Sequence, residues 1–252
     1  VSARIFKYIF PQSFFSLPLG ILESGQWIAG KHGDLLENLR TLSNKKKIKL
    51  TLLGHSLGAG TAAISGIELN DNSLIDVEVF GFGCPALLSR ELSAATKDII
   101  TTVIGDNDCI PRLSMATMVN ALIDIATFDY KPYALRDLEE LKNFLPTLVD
   151  NGLKDKFFKN LHNSLPEPYA MDDEEKMKRM EVVLYPPGRC IHFYNDGFGI
   201  AGSEVPCTFF GELDVNRRLL HDHMIETGYQ KIFLDLMRQY NHNNHFSFKN
   251  KK

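Results

Sequence analysis

Apolar positions along the first hundred residues change period several times, and each change marks an element. From Leu22 to Leu42 they recur at helical spacing, at Ile28, Leu35, Leu36, Leu39 and Leu42, which predicts an amphipathic helix ended by Asn44-Lys45-Lys46-Lys47. Residues 48–54, IKLTLLG, form a short apolar run of the kind found in buried parallel strands. A helix of small residues, TAAISGIEL, follows. VEVFGFG at 77–83 and IITTVI at 99–104 read as two further strands, with a helix near 88–96 between them. Strand, helix, strand, helix, strand predicts an α/β fold: a mostly parallel sheet flanked by helices. Ligands of such sheets bind at the carboxyl ends of the strands.

Beyond Pro111 the pattern changes. Met115 to Phe128 reads as a helix, and RDLEELKNF, GLKDKFFKNLHNSLPEP and MDDEEKMKRM read as charged helical segments. They predict a helical insertion at about 130–180, either a mobile lid or a solvated excursion without a role. Sheet character returns in EVVLYPPG (181–188), CIHFY (190–194) and PCTFF (206–210). Arg217 to Tyr240 has the spacing of a last amphipathic helix, and the polar tail 241–252 reads as frayed. No repeat or linker forces a second domain, so 1–240 is read as one domain.

Composition narrows the function classes. Hydrophobic residues make up 44% and charged residues 23%, as in ordinary globular proteins. A net charge of -3 gives no basic field to gather nucleic acid, so no nucleic-acid partner is expected. No run approaches the roughly 20 apolar residues needed to span a bilayer. The four cysteines form no C-x-x-C pair, and free thiols are expected. The opening segment carries Phe6, Tyr8, Phe10, Phe14 and Phe15 between prolines. It reads first as a piece of core, and second as an interfacial membrane contact. It begins without Met and does not read as a signal peptide.

The chemistry concentrates at Gly54-His55-Ser56-Leu57-Gly58, a G-x-S-x-G pentapeptide between a buried strand and a small-residue helix. Glycines two before and two after the serine let strand and helix approach closely while the hydroxyl is presented above the sheet. The Leu57 N–H, at the helix start, is the natural first oxyanion donor. Such a serine needs a base, usually a histidine oriented by a carboxylate. In α/β-hydrolases the chain order is serine, acid, histidine. Asp106 and Asp108 compete for the acid in the loop after the third strand. His192, His221 and His223 compete for the base, with His242 and His245 in the tail. His55 sits inside the elbow and is excluded. A tight turn without a catalytic role is the bland alternative.

GHSLGAGTAA, FGFGCPALLS, GDNDCIPRLS and LLHDHMIETGYQKI together resemble the class 3 lipases, and among them the diacylglycerol lipase-like branch. The resemblance runs from about Gly20 to Tyr240 and is weakest at 130–180. It implies that the acid is Asp108, three residues before Pro111, and that the base is His223, after Asp222. It implies hydrolysis of acyl esters of mono-, di- or triacylglycerols through an acyl-enzyme, without metal or organic cofactor. A glycerolipid substrate, transient contact with a membrane or lipid droplet, and a cytoplasmic or membrane-associated location go with it.

The sequence departs from the family at the front. The family takes a second oxyanion donor from a Ser or Thr in an R-G-T-like turn well before the elbow, and no such turn is legible here. Leu17-Pro18-Leu19 stand where the family carries a histidine. The expectation is a truncated N-terminal part, with part of the sheet and the second donor missing. That leaves two alternatives: a weakly active or inactive lipid-binding module with a lipase fold, or a serine esterase acting on soluble esters.

Overall fold

The computed structural model describes residues 16–144, 155, 156, 159, 160, 163 and 183–249. The elements of its sheet-bearing part are, in order, helix α1 (Ser16–Leu42), strand β1 (Ile48–His55), α2 (Leu57–Leu69), β2 (Ile75–Phe82), α3 (Arg90–Ala95) and β3 (Ile100–Gly105). Helix α4 (Met115–Thr127) and helix α5 (Lys131–Phe144) follow, then β4 (Arg189–Asn195), β5 (Ile200–Val205) and α6 (Gln230–Lys249). The chain divides into two compact units, one of residues 1–118 with 181–252 and one of residues 119–180.

The first unit holds the sheet. Its strand order is β1-β2-β3-β4-β5, so each strand lies beside the next in sequence. The first four are parallel, and β5 returns antiparallel on β4. This is the fold class that the alternation of strand and helix predicts, a mostly parallel sheet flanked by helices in the manner of the α/β-hydrolases.

One face of the sheet packs on α2, while the other is open along β1, where Lys49, Thr51 and Leu53 are exposed. Along β2, alternate residues Ile75, Val77 and Val79 are buried, and they share a cluster with Ala59, Ala63, Ile64 and Ile67 of α2. Helix α2 is so rich in small residues because it is buried along nearly its whole length. Helix α1 packs on it, and the Ser65 hydroxyl donates to the Gly25 carbonyl at 3.0 Å. On the opposite face Phe233 of α6 meets the rings of Phe82 and Phe193, with centroids 5.9 and 6.0 Å apart. Among the described residues β1 and β5 are the edges of the sheet.

Four local expectations are corrected. The buried face of α1 carries Ile21, Gly25 and Ala29, while Leu35, Leu39 and Leu42 are exposed. Two apolar stripes compete on that helix, and packing on α2 selects the one with small residues. PCTFF is a 3-10 turn (Cys207–Phe210) set off by Pro206, with Phe210 fully buried. The returning strand is instead the weakly apolar IAGSEV of β5. The described part of EVVLYPPG, from Val183, contributes only an isolated bridge, from Tyr185 to Leu88, because Pro186 and Pro187 cannot donate to a ladder. The last helix starts at Gln230, thirteen residues after Arg217, and continues to Lys249 through the stretch whose polarity suggested fraying.

The four cysteines are free in the structure. Burial raises the thiol pKa of Cys84 and pushes that of Cys190 up to about 12. Neither is therefore a reactive thiolate near neutral pH.

The second unit is described through the later part of α4 and through α5. The Phe128 and Tyr133 rings stack there at 5.5 Å. The helical expectations for 115–128 and for RDLEELKNF agree with these two helices. Most of GLKDKFFKNLHNSLPEP and all of MDDEEKMKRM lie outside the described residues, as does the aromatic opening segment up to residue 15. Among the described residues no helix is long and apolar enough to cross a membrane.

Candidate active site

The elbow begins where β1 ends. Ser56 has φ 56° and ψ -125°, a left-handed conformation that a residue with a Cβ avoids. Its N–H still pairs with the Phe82 carbonyl at 2.9 Å, so the strand holds it up to the last residue. Helix α2 starts at once, and the Ala59 and Gly60 N–H groups both donate to the Ser56 carbonyl. The Leu57 N–H stands at the helix start, among the first N–H groups that have no partner within the helix. Gly54 is required because any Cβ there would collide with the Gly58 backbone across the turn.

The other ends of the parallel strands converge on the serine. Ser56 Oγ lies 2.9 Å from His223 Nε2, and His223 Nδ1 lies 3.0 and 3.1 Å from the two oxygens of Asp108. A carboxylate only accepts, so Nδ1 carries the proton and Nε2 is free to take one from Ser56. Asp108 is fully buried and His223 is 8% exposed. Asp108 Oδ1 also accepts from the Ile110 N–H at 2.9 Å, and its Oδ2 from the Tyr229 hydroxyl at 2.6 Å.

Asp106 and His221, the competing candidates, stand elsewhere. Asp106 Oδ2 pairs with Arg218 at 3.5 Å, and burial raises its pKa against that cation. His221 Nδ1 faces Asp222 at 3.2 Å. His192 is buried beneath Phe209 and Phe210, with Nε2 on the Asp106 carbonyl at 2.9 Å, and burial lowers its pKa. His242 and His245 lie on α6. Arg112 donates to the Phe209 carbonyl and lies over the rings of Phe209 and Phe210.

Three neighbours of Ser56, His223 and Asp108 carry little sequence signal. Asp222, 2% exposed, joins the Asp108 loop to the His223 loop. It accepts from the Asn107 N–H at 3.2 Å and from Arg218 at 3.0 Å, and it directly precedes His223. His55 Nε2 meets the His223 carbonyl at 2.8 Å, and its ring stacks on that of His223 at 4.7 Å. Gly83, at the end of β2, has φ 57°, and a Cβ there would sit 2.6 Å from Asp108 Oδ2 and 3.0 Å from His223 Nδ1.

Gly83→Ala therefore adds a methyl group against the Asp108–His223 pair at a left-handed position. A displacement of an ångström at such a pair costs about 10²-fold in rate, and that loss is expected here. Assay of ester hydrolysis beside a thermal melt checks it, and full activity in the variant contradicts the packing described.

A cavity of about 340 Å³ opens on the far side of Asp222, with Asp106, Arg217, His221, Lys231 and Asp235 among its walls. Ser56 and His223 do not line it. Among the described residues no group of three or more His, Cys, Asp or Glu could hold a metal ion.

Comparison with known proteins gives a consistent answer. Residues 10–118 match the family described as Lipase (class 3), a span that includes Ser56 and Asp108. Diacylglycerol lipase-beta of Mus musculus is 42% identical over 71 residues, covering 28% of this chain and 10% of the relative. Diacylglycerol lipase-alpha of Mus musculus is 26% identical over 206 residues, covering 71% of this chain and 18% of the relative. The Homo sapiens diacylglycerol lipase-alpha is 26% identical over 201 residues with the same coverage. The chain thus spans less than a fifth of the length of these relatives. The chain is thus similar to the class 3 lipases over residues 10–118, and to diacylglycerol lipases over as much as 71% of its length.

Proposed function

We propose that this chain is a serine lipase that hydrolyses acyl esters of glycerolipids, with Ser56 as nucleophile, His223 as base, Asp108 as the acid that orients it, and the Leu57 N–H as oxyanion donor. What carries the reading is the continuous hydrogen-bond chain from Ser56 Oγ through His223 to Asp108, at 2.9 and 3.0 Å. Ser56 Oγ attacks the ester carbonyl while His223 Nε2 takes its proton. The Asp108 carboxylate stabilises the imidazolium that forms and stays ionised itself. The carbonyl oxygen becomes an oxyanion beside the Leu57 N–H, at the positive end of α2. His223 then protonates the departing glyceride oxygen, leaving an acyl-serine. A water, deprotonated by the same imidazole, attacks that ester and releases the fatty acid.

The substrate class follows from the relatives and from the surface. Both kinds of relative are diacylglycerol lipases by name. Leu57, Leu220, Met224 and Ile225, which flank the nucleophile and the base in sequence, are each more than half exposed. Exposed leucine, methionine and isoleucine beside a catalytic serine suit a substrate presented at a lipid surface. Transient contact with a membrane or lipid droplet belongs to this proposal.

The test compares dioleoylglycerol in mixed micelles with a short-chain soluble ester. Turnover of dioleoylglycerol that rises steeply above the critical micelle concentration is expected. Equal or better turnover of the soluble ester, with no dependence on an interface, would point to a soluble-ester hydrolase. Lipid binding without any turnover would point to an inactive lipid-binding module.

A further inference from the structure

The triad has a fourth polar partner that lies on none of the strands. Tyr229 ends the π-helical turn Ile225–Tyr229, just ahead of α6, and is only 4% exposed. Turns of this kind are rare and recur at functional sites. Its hydroxyl stands 2.6 Å from Asp108 Oδ2, 3.3 Å from the Val103 carbonyl and 3.3 Å from the Gly105 N–H.

A phenol has one proton to give, and two acceptors compete for it. The carboxylate is nearer and charged, and hydrogen bonds to an ionised acceptor are the stronger ones. The proton therefore points at Asp108, and the hydroxyl oxygen is left to accept from Gly105 N–H. Burial, followed by the charge of Asp108, raises the Tyr229 pKa well above its ordinary value, so the group stays a phenol and keeps that proton. A carboxylate at a loop can turn about its own Cβ–Cγ bond. Here one oxygen is tied to the Ile110 N–H and the other to Tyr229, so its plane is fixed facing His223. The Gly83 backbone closes the remaining side, since a Cβ there would come within 3.0 Å of the Tyr229 hydroxyl.

The ring has a separate contact set. It meets His55 edge-on, at 5.7 Å and 77°, and His55 stacks in turn on His223. It also meets Phe82 at 6.1 Å. Removing the hydroxyl alone leaves this packing in place, so the two contributions can be separated.

We infer that Tyr229 is a positioning residue of the triad: its hydroxyl holds the Asp108 carboxylate turned toward His223. This rests on the catalytic reading of Ser56, His223 and Asp108 given above. Tyr229 acts through Asp108 and touches no reacting atom. Its effect therefore belongs to the chemical step and not to substrate binding.

The experiment is a double-mutant cycle on the full chain, assayed with p-nitrophenyl butyrate, with Ser56→Ala as control. Tyr229→Phe is expected to lower kcat about 10-fold with KM within about twofold, the size of one hydrogen bond to a charged group. In an Asp108→Asn background the same change is expected to matter less than about twofold, because the carboxylate it serves is gone. A purely structural tyrosine would lower both backgrounds by the same factor, and that result overturns the inference. Wild-type kcat in Tyr229→Phe, with turnover still abolished by Ser56→Ala, also overturns it and leaves the triad standing. Turnover that survives Ser56→Ala overturns the triad itself, and the role of Tyr229 with it.

Discussion

Ser56→Ala is expected to lower ester hydrolysis by on the order of 10⁶-fold, down to background, while the protein folds as before. The size follows from the loss of the covalent route. Without Oγ there is no atom at 2.9 Å from His223 Nε2 to attack the carbonyl, and only the oxyanion donor and substrate binding remain. Folding is expected to be spared because alanine keeps the Cβ and inherits the same left-handed backbone at φ 56°. The Ser56 hydroxyl has its side-chain bond to His223, so no buried network collapses when it is removed. Measurement of kcat/KM beside circular dichroism and a thermal melt checks both halves. Turnover within tenfold of wild type would mean that another group is the nucleophile.

Asp108→Asn carries the second largest effect, a loss in kcat on the order of 10⁴-fold. Each Asp108 oxygen accepts a proton of its own, from Ile110 N–H and from Tyr229 O–H, and both accept from His223. An asparagine offers one acceptor and one amide that only donates. Keeping the Ile110 bond turns the amide toward Tyr229, whose proton must then leave for the Val103 carbonyl. Turning the amide the other way sets it against the Ile110 N–H. In either orientation the negative charge that steadies the imidazolium is absent. An amide N–H facing Nδ1 also favours the tautomer with the proton on Nε2, which cannot accept from Ser56. Steady-state kinetics on a soluble ester tests this, with KM expected to move little. A loss below about tenfold would argue that Asp108 is structural and that another acid serves the base.

How much of this was legible in the sequence depends on the kind of signal each residue leaves. Ser56 announces itself because the elbow needs glycines at fixed offsets, and Gly54 shows the steric reason. Asp108 and His223 do not. An aspartate in G-D-N-D and a histidine in H-D-H have neighbours of the same type, and only the likeness to a family singled them out. In the structure the pairs separate: His223 bonds to Ser56 and Asp108, while Asp106 and His221 bond to Arg218 and Asp222. Tyr229 was illegible because a buried aromatic reads as core whether or not its hydroxyl has work to do. His55 could be excluded as the base, but its support of His223 from behind depends on a contact 168 residues apart.

The fold shows the same division. Strands β1 to β3 were legible because their core-facing positions, such as Leu50, Leu52, Val77, Val79 and Ile100, are all apolar. Strand β5 was not, since Gly202 and Ser203 dilute its apolar character and it lies at the sheet's other edge. The late start of α6 escaped notice because Leu219, Leu220, Met224 and Ile225 keep a helical period. The chain there instead makes a turn that buries Asp222 and delivers His223.

The most direct test of the triad is fluorophosphonate labelling of the purified chain, because the probe reports an activated serine without requiring the right lipid. Wild type, Ser56→Ala, His223→Ala and His221→Ala would be compared at equal concentration, each verified as folded. Labelling is expected in wild type and in His221→Ala, and is expected to vanish in Ser56→Ala and His223→Ala. A folded wild type that takes no label, or one whose label survives His223→Ala, would contradict the assignment of Ser56 and His223 as a working nucleophile and base.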